Sequence, residues 1–203
     1  MKDTRQSQYM KTRVLYYLRY NKQFSYTALE VNTALGSFNS GRQSDVVGLD
    51  KHGQVTNIEV KVSISDLKND LHKDIHYLLQ RDFTHTEPKQ TFRKWQKVRR
   101  WEEIYRPRGK DNTSPVTYFW FAVPSTIRIE AEKICKEKYP YAGLMIISNT
   151  SSCYPYKDRV WEVIRPHRFV REKVKEERLN RLAREMSATL CRLMIEKTKD
   201  YVL

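Results

Sequence analysis

The stretch "VTNIEVKVSISDLKNDLHKD", residues 55–74, decides the fold because it joins a strand pattern directly to a helical one. Its first eight residues, 55–62, are rich in β-branched side chains and predict a buried strand. Over residues 64–80 the apolar side chains recur every three or four positions, which predicts a helix. Within the strand, Glu59 and Lys61 are two residues apart and therefore share one face.

Strand and helix patterns also alternate along the rest of the chain. "SDVVGLD", residues 44–50, is a short apolar run, and the turn residues "DKHG" join it to the next strand as a hairpin. Two later apolar runs with a helical segment between them predict a βαβ crossover and hence parallel strands. We therefore expect an α/β fold with a mixed central sheet flanked by helices. The predicted elements are helices over 9–20, 25–36, 64–80 and 126–138, and strands over 44–50, 55–62, 116–124 and 142–148.

Two basic segments stand outside this α/β plan. We expect a domain over residues 1–165 with a basic helical insertion at about 81–115, and a basic amphipathic C-terminal helix over 166–203. A leucine stripe on that helix would pack against this domain or a second subunit, which leaves a homodimer open. The side chains predicted to contact a nucleic-acid backbone are Arg93, Lys94, Lys97, Arg99, Arg100, Arg178 and Arg181.

The formal net charge of +14 indicates a polyanionic partner. Phosphate contacts by Lys and Arg release counterions and supply most non-specific nucleic-acid affinity. An anionic membrane surface is the competing partner, but the basic residues are spread along the chain. No run approaches the roughly 18 apolar residues of a spanning helix, and the first residues lack the apolar core of a signal peptide. We expect a cytoplasmic protein that binds nucleic acid and no membrane.

The three cysteines, Cys135, Cys153 and Cys191, match no zinc-ligand spacing. They are odd in number and far apart in sequence. We expect reduced, structural thiols.

The hairpin predicts a charged cluster at the ends of its two strands. Folding residues 44–50 back on the next strand brings Asp45 near Glu59. Two neighbouring carboxylates are costly without a cation, and hard oxygen ligands favour Mg²⁺. Lys61 is a compact ammonium suited to an attacking water or to charge developing on a phosphate. The cluster therefore indicates metal-assisted phosphodiester hydrolysis.

The order of these residues, Asp45 and then Glu-Val-Lys at 59–61, resembles the PD-(D/E)xK nuclease superfamily and its restriction-endonuclease-like fold. The hairpin, the helix with spaced acidic and basic residues and the later strand are similar to small bacterial and phage members. The resemblance covers about residues 25–148, and Ser44 stands where the family's name has proline.

This resemblance implies a Mg²⁺-dependent DNA endonuclease or exonuclease, with Mn²⁺ as a substitute metal, in DNA repair, replication or phage DNA processing. Asp45, Glu59 and the carbonyl of Val60 would hold the metal. Lys61 would orient or help activate the attacking water, leaving a 5′-phosphate. A phage-encoded member would work in the host cytoplasm. Supporting roles would fall to Glu30, Ser63, Asp66, Asp70 and Lys73.

Structural readings of these residues stay open beside the catalytic ones. Glu59 and Lys61 would form an ion pair if their sheet face were solvated. Asp45 has the chemistry of a turn residue at a strand entrance. Thr27 and Glu30 have the form of a helix capping box, whereas the resemblance makes Glu30 an acid near the metal.

The predicted helix over 64–80 also has a structural reading. Asp66 would close a cap with Ser63, and Asp70 with Lys73 would form a surface pair. Asp66 and Asp70 repel one another at helical spacing, however, which indicates a nearby cation. His72 and His76 read as solvated.

Two further functions stay open. The first is a non-catalytic nucleic-acid-binding module of the same fold, and the second is an enzyme that acts on RNA.

Overall fold

The computed structural model describes residues 4–31, 44–73, 76–86, 89–99, 116–148 and 160–168, and parts of a helix between 176 and 191. Only the backbone is described for 77–86 and 89–99. The helices are α1 (Arg5–Tyr16), α2 (Ile64–Asn69) and α3 (Arg128–Lys138). The strands are β1 (Tyr26–Val31), β2 (Ser44–Leu49), β3 (Val55–Val60), β4 (Tyr77–Thr86), β5 (Lys89–Arg99), β6 (Val116–Pro124), β7 (Gly143–Ile147) and β8 (Val160–Ile164).

A six-stranded mixed sheet in the order β1-β2-β3-β6-β7-β8 forms the centre of the molecule. The strands β1, β2 and β3 are antiparallel neighbours. β6 runs parallel to β3, β7 runs parallel to β6 through the crossover helix α3, and β8 is antiparallel to β7. The predicted α/β class, the mixed sheet and the βαβ crossover are therefore confirmed.

Each face of the sheet carries a buried apolar cluster. On one face, Met10 and Val14 of α1 pack with side chains such as Ile58 and Trp120. On the other face, helices α2 and α3 cover a second cluster that includes Phe121. Because neighbouring residues of a strand point to opposite faces, consecutive positions of β3 and β6 contribute to the two clusters in turn.

The β2–β3 hairpin forms where the sequence predicts it. The Asp50 carboxylate accepts hydrogen bonds from the backbone N–H of His52 at 2.8 Å and of Gln54 at 2.9 Å. Gly53 has a φ of +75°, which glycine adopts without steric cost. The turn fixes a register in which Val46 pairs with Ile58.

The helix predicted over residues 25–36 is wrong for its described part, because Tyr26–Val31 is strand β1. Ala28 and Val31 are three apart, which in a regular strand would place them on opposite faces. Glu30 has a φ of +54°, and both apolar residues belong to one core cluster. Because the backbone is irregular at Glu30, the apolar residues on one face of this strand have the three-residue spacing that is typical of a helix. The capping box of Thr27 and Glu30 is wrong for the same reason.

The helix predicted over residues 64–80 is much shorter in the structure. α2 ends at Asn69, a 3₁₀ turn spans Asp70–His72, and β4 begins at Tyr77. The helix ends where Asp70 and His76 form a buried polar pair, a tertiary contact that helical spacing does not anticipate.

The predicted helical insertion is also wrong over the described residues 81–86 and 89–99, which belong to β4 and β5, an antiparallel two-stranded sheet. Asp82 pairs with Lys94 and Phe83 pairs with Phe92, so Arg93 is an extra residue at a bulge. The bulge interrupts strand alternation, so two apolar residues on either side of it, Phe92 and Trp95, can be three positions apart in a strand. Residues 100–115 lie outside the described part.

The described residues between 176 and 191 are helical, whereas residues 166–168 of the predicted C-terminal helix are not in a helix. Leu179 and Met186 pack against the core cluster on the α2 and α3 face, which confirms packing on this domain for those two side chains. Leu190 of the same stripe is exposed. Within the described ranges, no helix combines the length and apolar composition needed to cross a membrane.

Candidate functional site

Asp45 and Glu59 lie side by side on neighbouring strands. Val46 pairs with Ile58, and one further step of the same antiparallel register places Asp45 beside Glu59. The Oδ2 atom of Asp45 accepts a hydrogen bond of 2.9 Å from the backbone N–H of Val60. The hairpin therefore brings together the two carboxylates that the sequence predicts as neighbours.

Glu59 and Lys61 are buried, so the reading as a solvated surface ion pair is wrong. The Nζ atom of Lys61 lies 3.5 Å from Oε2 of Glu59. The backbone N–H of Lys61 donates to the carbonyl of Ala122 at 2.9 Å, which extends the pairing of β3 with β6 beyond the strand. This bond holds the lysine stem against the central sheet.

Asp70 is the centre of the charged network. Its Oδ1 atom lies 2.6 Å from Nζ of Lys61 and 2.9 Å from Nζ of Lys73. Lys73 also contacts Oε2 of Glu59. Two ammonium groups and two carboxylates therefore alternate in one compact cluster, and Asp70 and Glu59 are each shared between both lysines.

His76 supports Asp70 from the core side. Its Nε2 atom lies 2.7 Å from Oδ2 of Asp70, and its Nδ1 atom contacts the hydroxyl of Tyr141. The ring is fully buried and packs against aromatic side chains such as Phe119 and Tyr139. The reading of His76 as a solvated helix residue is therefore wrong.

Burial and charge set the protonation of these groups. Burial raises the pKa of Glu59 to about 7, and the carboxylates of Asp70 and Asp45 act in the same direction. Burial also acts to raise the pKa of Asp70, but the hydrogen bond from His76 and the two lysines hold it well below its usual range. Burial lowers the pKa of His76. Because an ionised Asp70 can only accept, Nε2–H of the neutral ring donates to it and Nδ1 accepts from the hydroxyl of Tyr141.

A second charged cluster lies on the α1 side of Asp45. The Nζ atom of Lys11 is 3.0 Å from Oδ1 of Asp45 and 3.5 Å from Oε1 of Glu30. Glu30 therefore does lie near Asp45, but on a strand and in the left-handed region of φ. A non-glycine residue held there is strained, and such strain clusters at functional sites.

Sequence reasoning missed Lys11, His76 and Tyr141 as members of the site. Lys11 was detectable, because it falls on the same helical stripe as the buried residues Met10 and Val14. A lysine on a buried helix face requires a carboxylate partner. The roles of His76 and Tyr141 depend on a contact between residues 65 positions apart, which no local pattern indicates.

The remaining supporting residues have modest roles. The hydroxyl of Ser63 accepts a hydrogen bond of 3.2 Å from the N–H of Asp66 and thereby caps α2, as one reading of the sequence predicted. Asp66 is half-exposed, and its Oδ1 atom lies 3.8 Å from Nζ of Lys61. The cation expected near Asp66 and Asp70 is therefore present as a lysine.

The predicted nucleic-acid contacts lie mostly beyond the described side chains. Arg93, Lys94, Lys97 and Arg99 belong to β5, of which the backbone alone is described. Arg100, Arg178 and Arg181 lie outside the described residues. Their contact with nucleic acid stays a prediction.

The cysteines fit structural roles where they are described. Cys135 is a buried free thiol whose pKa burial raises to about 12, and Cys191 is free and exposed. A thiol with so high a pKa is a poor nucleophile at neutral pH. Cys153 lies outside the described residues.

The donor chemistry at the β2–β3 ends fits a hard divalent ion. Asp45 and Glu59 offer carboxylate oxygens side by side, and the raised pKa of Glu59 reflects burial among further carboxylates, a cost that a cation would relieve. Lys11 lies at Oδ1 of Asp45 and Lys73 at Oε2 of Glu59. Among the described residues, no group of three or more His, Cys, Asp or Glu side chains is arranged to hold a metal.

Comparison with known proteins finds a similar fold in a protein of unknown function. No protein-family model matches the sequence, and no curated protein does. A solved structure of a protein of unknown function from Silicibacter pomeroyi is similar, with 15% sequence identity and a TM-score of 0.53. The match covers 100% of this chain and 97% of that chain. At this identity the likeness shows the fold alone.

Proposed function

We propose that the protein is a Mg²⁺-dependent nuclease of the PD-(D/E)xK type that hydrolyses DNA phosphodiester bonds. The observation that carries the proposal is the juxtaposition of Asp45 with Glu59 at the ends of β2 and β3, with Nζ of Lys61 3.5 Å from Oε2 of Glu59. A helix, three antiparallel strands, a helix and a strand parallel to the third also make a layout that resembles the restriction-endonuclease-like fold.

In this proposal Asp45, Glu59 and the carbonyl of Val60 would hold Mg²⁺. The metal would supply activation of a water and stabilisation of negative charge on the phosphate. Lys61 would orient the attacking water or take up part of that charge. Attack of the water oxygen on phosphorus breaks the bond to the 3′ oxygen and leaves a 5′-phosphate and a 3′-hydroxyl.

The charge of the chain supports a nucleic-acid substrate. A net charge of +14 favours binding to a phosphate backbone, and backbone contacts position a strand without reading its sequence. DNA is preferred over RNA on the family resemblance alone. A role in DNA repair, replication or phage DNA processing, a cytoplasmic location and the cationic side chains of β5 as backbone contacts belong to the same proposal.

The test is a cleavage assay with isosteric variants. Supercoiled plasmid, single-stranded circular DNA, branched DNA and duplex RNA would be incubated with Mg²⁺, Mn²⁺ or EDTA. Wild type should cut at least one DNA in a metal-dependent manner, whereas Asp45→Asn and Glu59→Gln should cut none. Lys68→Met is the matched control, because Lys68 pairs with Glu130 at the surface, away from the cluster. Cleavage by all proteins alike would contradict the assignment.

One observation favours the alternative of a non-catalytic nucleic-acid-binding module. Lys11, Lys61 and Lys73 already compensate the carboxylates of the site, so the fold holds together without a metal. The melting temperature separates the two functions. A metal that binds the folded state alone raises it, so an unchanged melting temperature in millimolar Mg²⁺ or Mn²⁺ would favour the binding module.

A further inference from the structure

Lys73 differs from Lys61 in its access to solvent. The two lysines contact the same pair of carboxylates, but the side chain of Lys73 is 28% exposed and that of Lys61 is 5% exposed. Lys73 follows the 3₁₀ turn in an extended conformation, at the mouth of the cluster. The side chain of Lys73 is therefore more accessible to an incoming phosphate than that of Lys61.

Lys73 also occupies an oxygen that a metal would need. Lys73 contacts Oε2 of Glu59. The Nζ atom of Lys61 lies 3.5 Å from the same oxygen. Mg²⁺ binds carboxylate oxygen at about 2.0–2.1 Å, and an ammonium on the same oxygen would repel it strongly in a buried site. The lysine and a divalent ion therefore compete for Glu59.

We propose that Lys73 is an exchangeable counter-ion of Glu59, which leaves this carboxylate when a divalent cation binds and then contacts the substrate phosphate. The phosphate contact rests on the proposed function, whereas the exchange with a metal does not. Lys73 is thus a second catalytic ammonium beside Lys61, one that the Glu-x-Lys pattern does not contain.

Asp70 keeps Lys73 in place during the exchange. Its Oδ1 atom lies 2.9 Å from Nζ of Lys73, and its Oδ2 atom is held by His76, which is held in turn by Tyr141. This anchor reaches into the core and does not involve Glu59. When Lys73 leaves Glu59, it therefore stays paired with Asp70, and its ammonium can turn toward a phosphate.

Metal affinity without DNA is the first test. Mn²⁺ alone would be titrated into wild type, Lys73→Met and Lys68→Met, with free Mn²⁺ followed by electron paramagnetic resonance. Lys73→Met keeps the aliphatic stem and removes the charge, so it should bind Mn²⁺ at least about tenfold more tightly than wild type. Lys68→Met should match wild type. Equal affinity of Lys73→Met and wild type, or no binding by either, would overturn the exchange.

Cleavage at saturating Mn²⁺ is the second test. Lys73→Met should cut DNA at least about tenfold more slowly than wild type although it binds the metal more tightly, and Lys73→Arg should restore part of the rate. A variant that had only lost its fold would lose metal affinity and rate together. Tighter Mn²⁺ binding in proteins that never cut DNA would support the exchange and sink the nuclease proposal. Tighter binding with an unchanged cleavage rate would overturn the phosphate contact.

Discussion

Oδ1 of Asp70 lies 2.6 Å from Nζ of Lys61, and both side chains are buried. Charges removed from water are tolerated only while they remain paired, because desolvation of each ion costs several kcal/mol. The pair therefore makes the site dependent on its own charge balance. A change to one member acts on the stability of the sheet as well as on any chemistry.

Loss of the buried lysine should destabilise the protein. Lys61→Ala leaves Asp70 and Glu59 with Lys73 as their shared ammonium, and we expect the free energy of unfolding to fall by about 3–5 kcal/mol. Lys68→Ala removes a surface pair with Glu130 and should cost under about 1 kcal/mol. Urea unfolding of the two variants measures both values, and similar midpoints would show that Lys61 is not needed for charge balance.

The ionisation of Glu59 should make stability depend on pH. Burial raises the pKa of Glu59 from 4.5 to about 7, so between these values the folded protein holds a proton that the unfolded chain has released. The stabilisation that comes from this bound proton is therefore greatest at low pH and is lost as the pH rises through this window. Glu59→Gln cannot ionise, and its stability relative to wild type should rise across the window by on the order of 3 kcal/mol.

Urea unfolding of wild type and Glu59→Gln at a series of pH values measures this difference. The pKa of Asp70 is lowered from 3.8, so its own contribution is lost only at more acid pH and does not enter the window. If the difference in the free energy of unfolding between the two proteins is constant from pH 4.5 to 7, burial does not destabilise the anion of Glu59.

The left-handed backbone at Glu30 predicts that a glycine variant at this position is more stable than an alanine variant. Glu30→Gly and Glu30→Ala both remove the contact with Lys11, so their difference isolates the backbone. Glycine adopts a φ of +54° freely, whereas alanine pays about 1 kcal/mol or more. The glycine variant should therefore be the more stable one, by about that amount in thermal or urea unfolding.

Thr27 in the same strand is the matched control, because its backbone is not in the left-handed region. There the order should reverse, with Thr27→Gly less stable than Thr27→Ala. The same order at both positions would show that Glu30 is not strained.

Gly143 of β7 should tolerate no side chain while Trp120 is present. A Cβ atom at this position would overlap the six-membered ring of the Trp120 side chain. We expect Gly143→Ala to destabilise the protein by about 1–3 kcal/mol through overpacking. The added cost should be much smaller in a Trp120→Leu background, and a double-mutant cycle measures the coupling. Equal costs in both backgrounds would rule out this contact.

The parts of the fold that the sequence predicts are those with a local cause. The hairpin follows from Asp50 and Gly53, and the crossover β6-α3-β7 follows from two long apolar runs around a helical segment. The neighbourhood of Asp45 and Glu59 follows from the hairpin register alone. These features need no knowledge of distant residues.

The parts that could not be predicted depend on tertiary contacts or on irregular backbone. β1 reads as a helix because Glu30 breaks strand alternation. α2 ends early because Asp70 is drawn to His76, and His76 is held by an aromatic residue far along the chain. Residues 89–99 read as helical because the bulge at Arg93 interrupts strand alternation in β5.

The sheet order has a consequence for how related chains can diverge. β3 and β6 are hydrogen-bonded neighbours, while β4 and β5, which lie between them in sequence, form a separate two-stranded sheet. The length and composition of that excursion can therefore change without moving the register of the central sheet. Natural variation in length and composition should therefore accumulate in this segment before it reaches the central sheet.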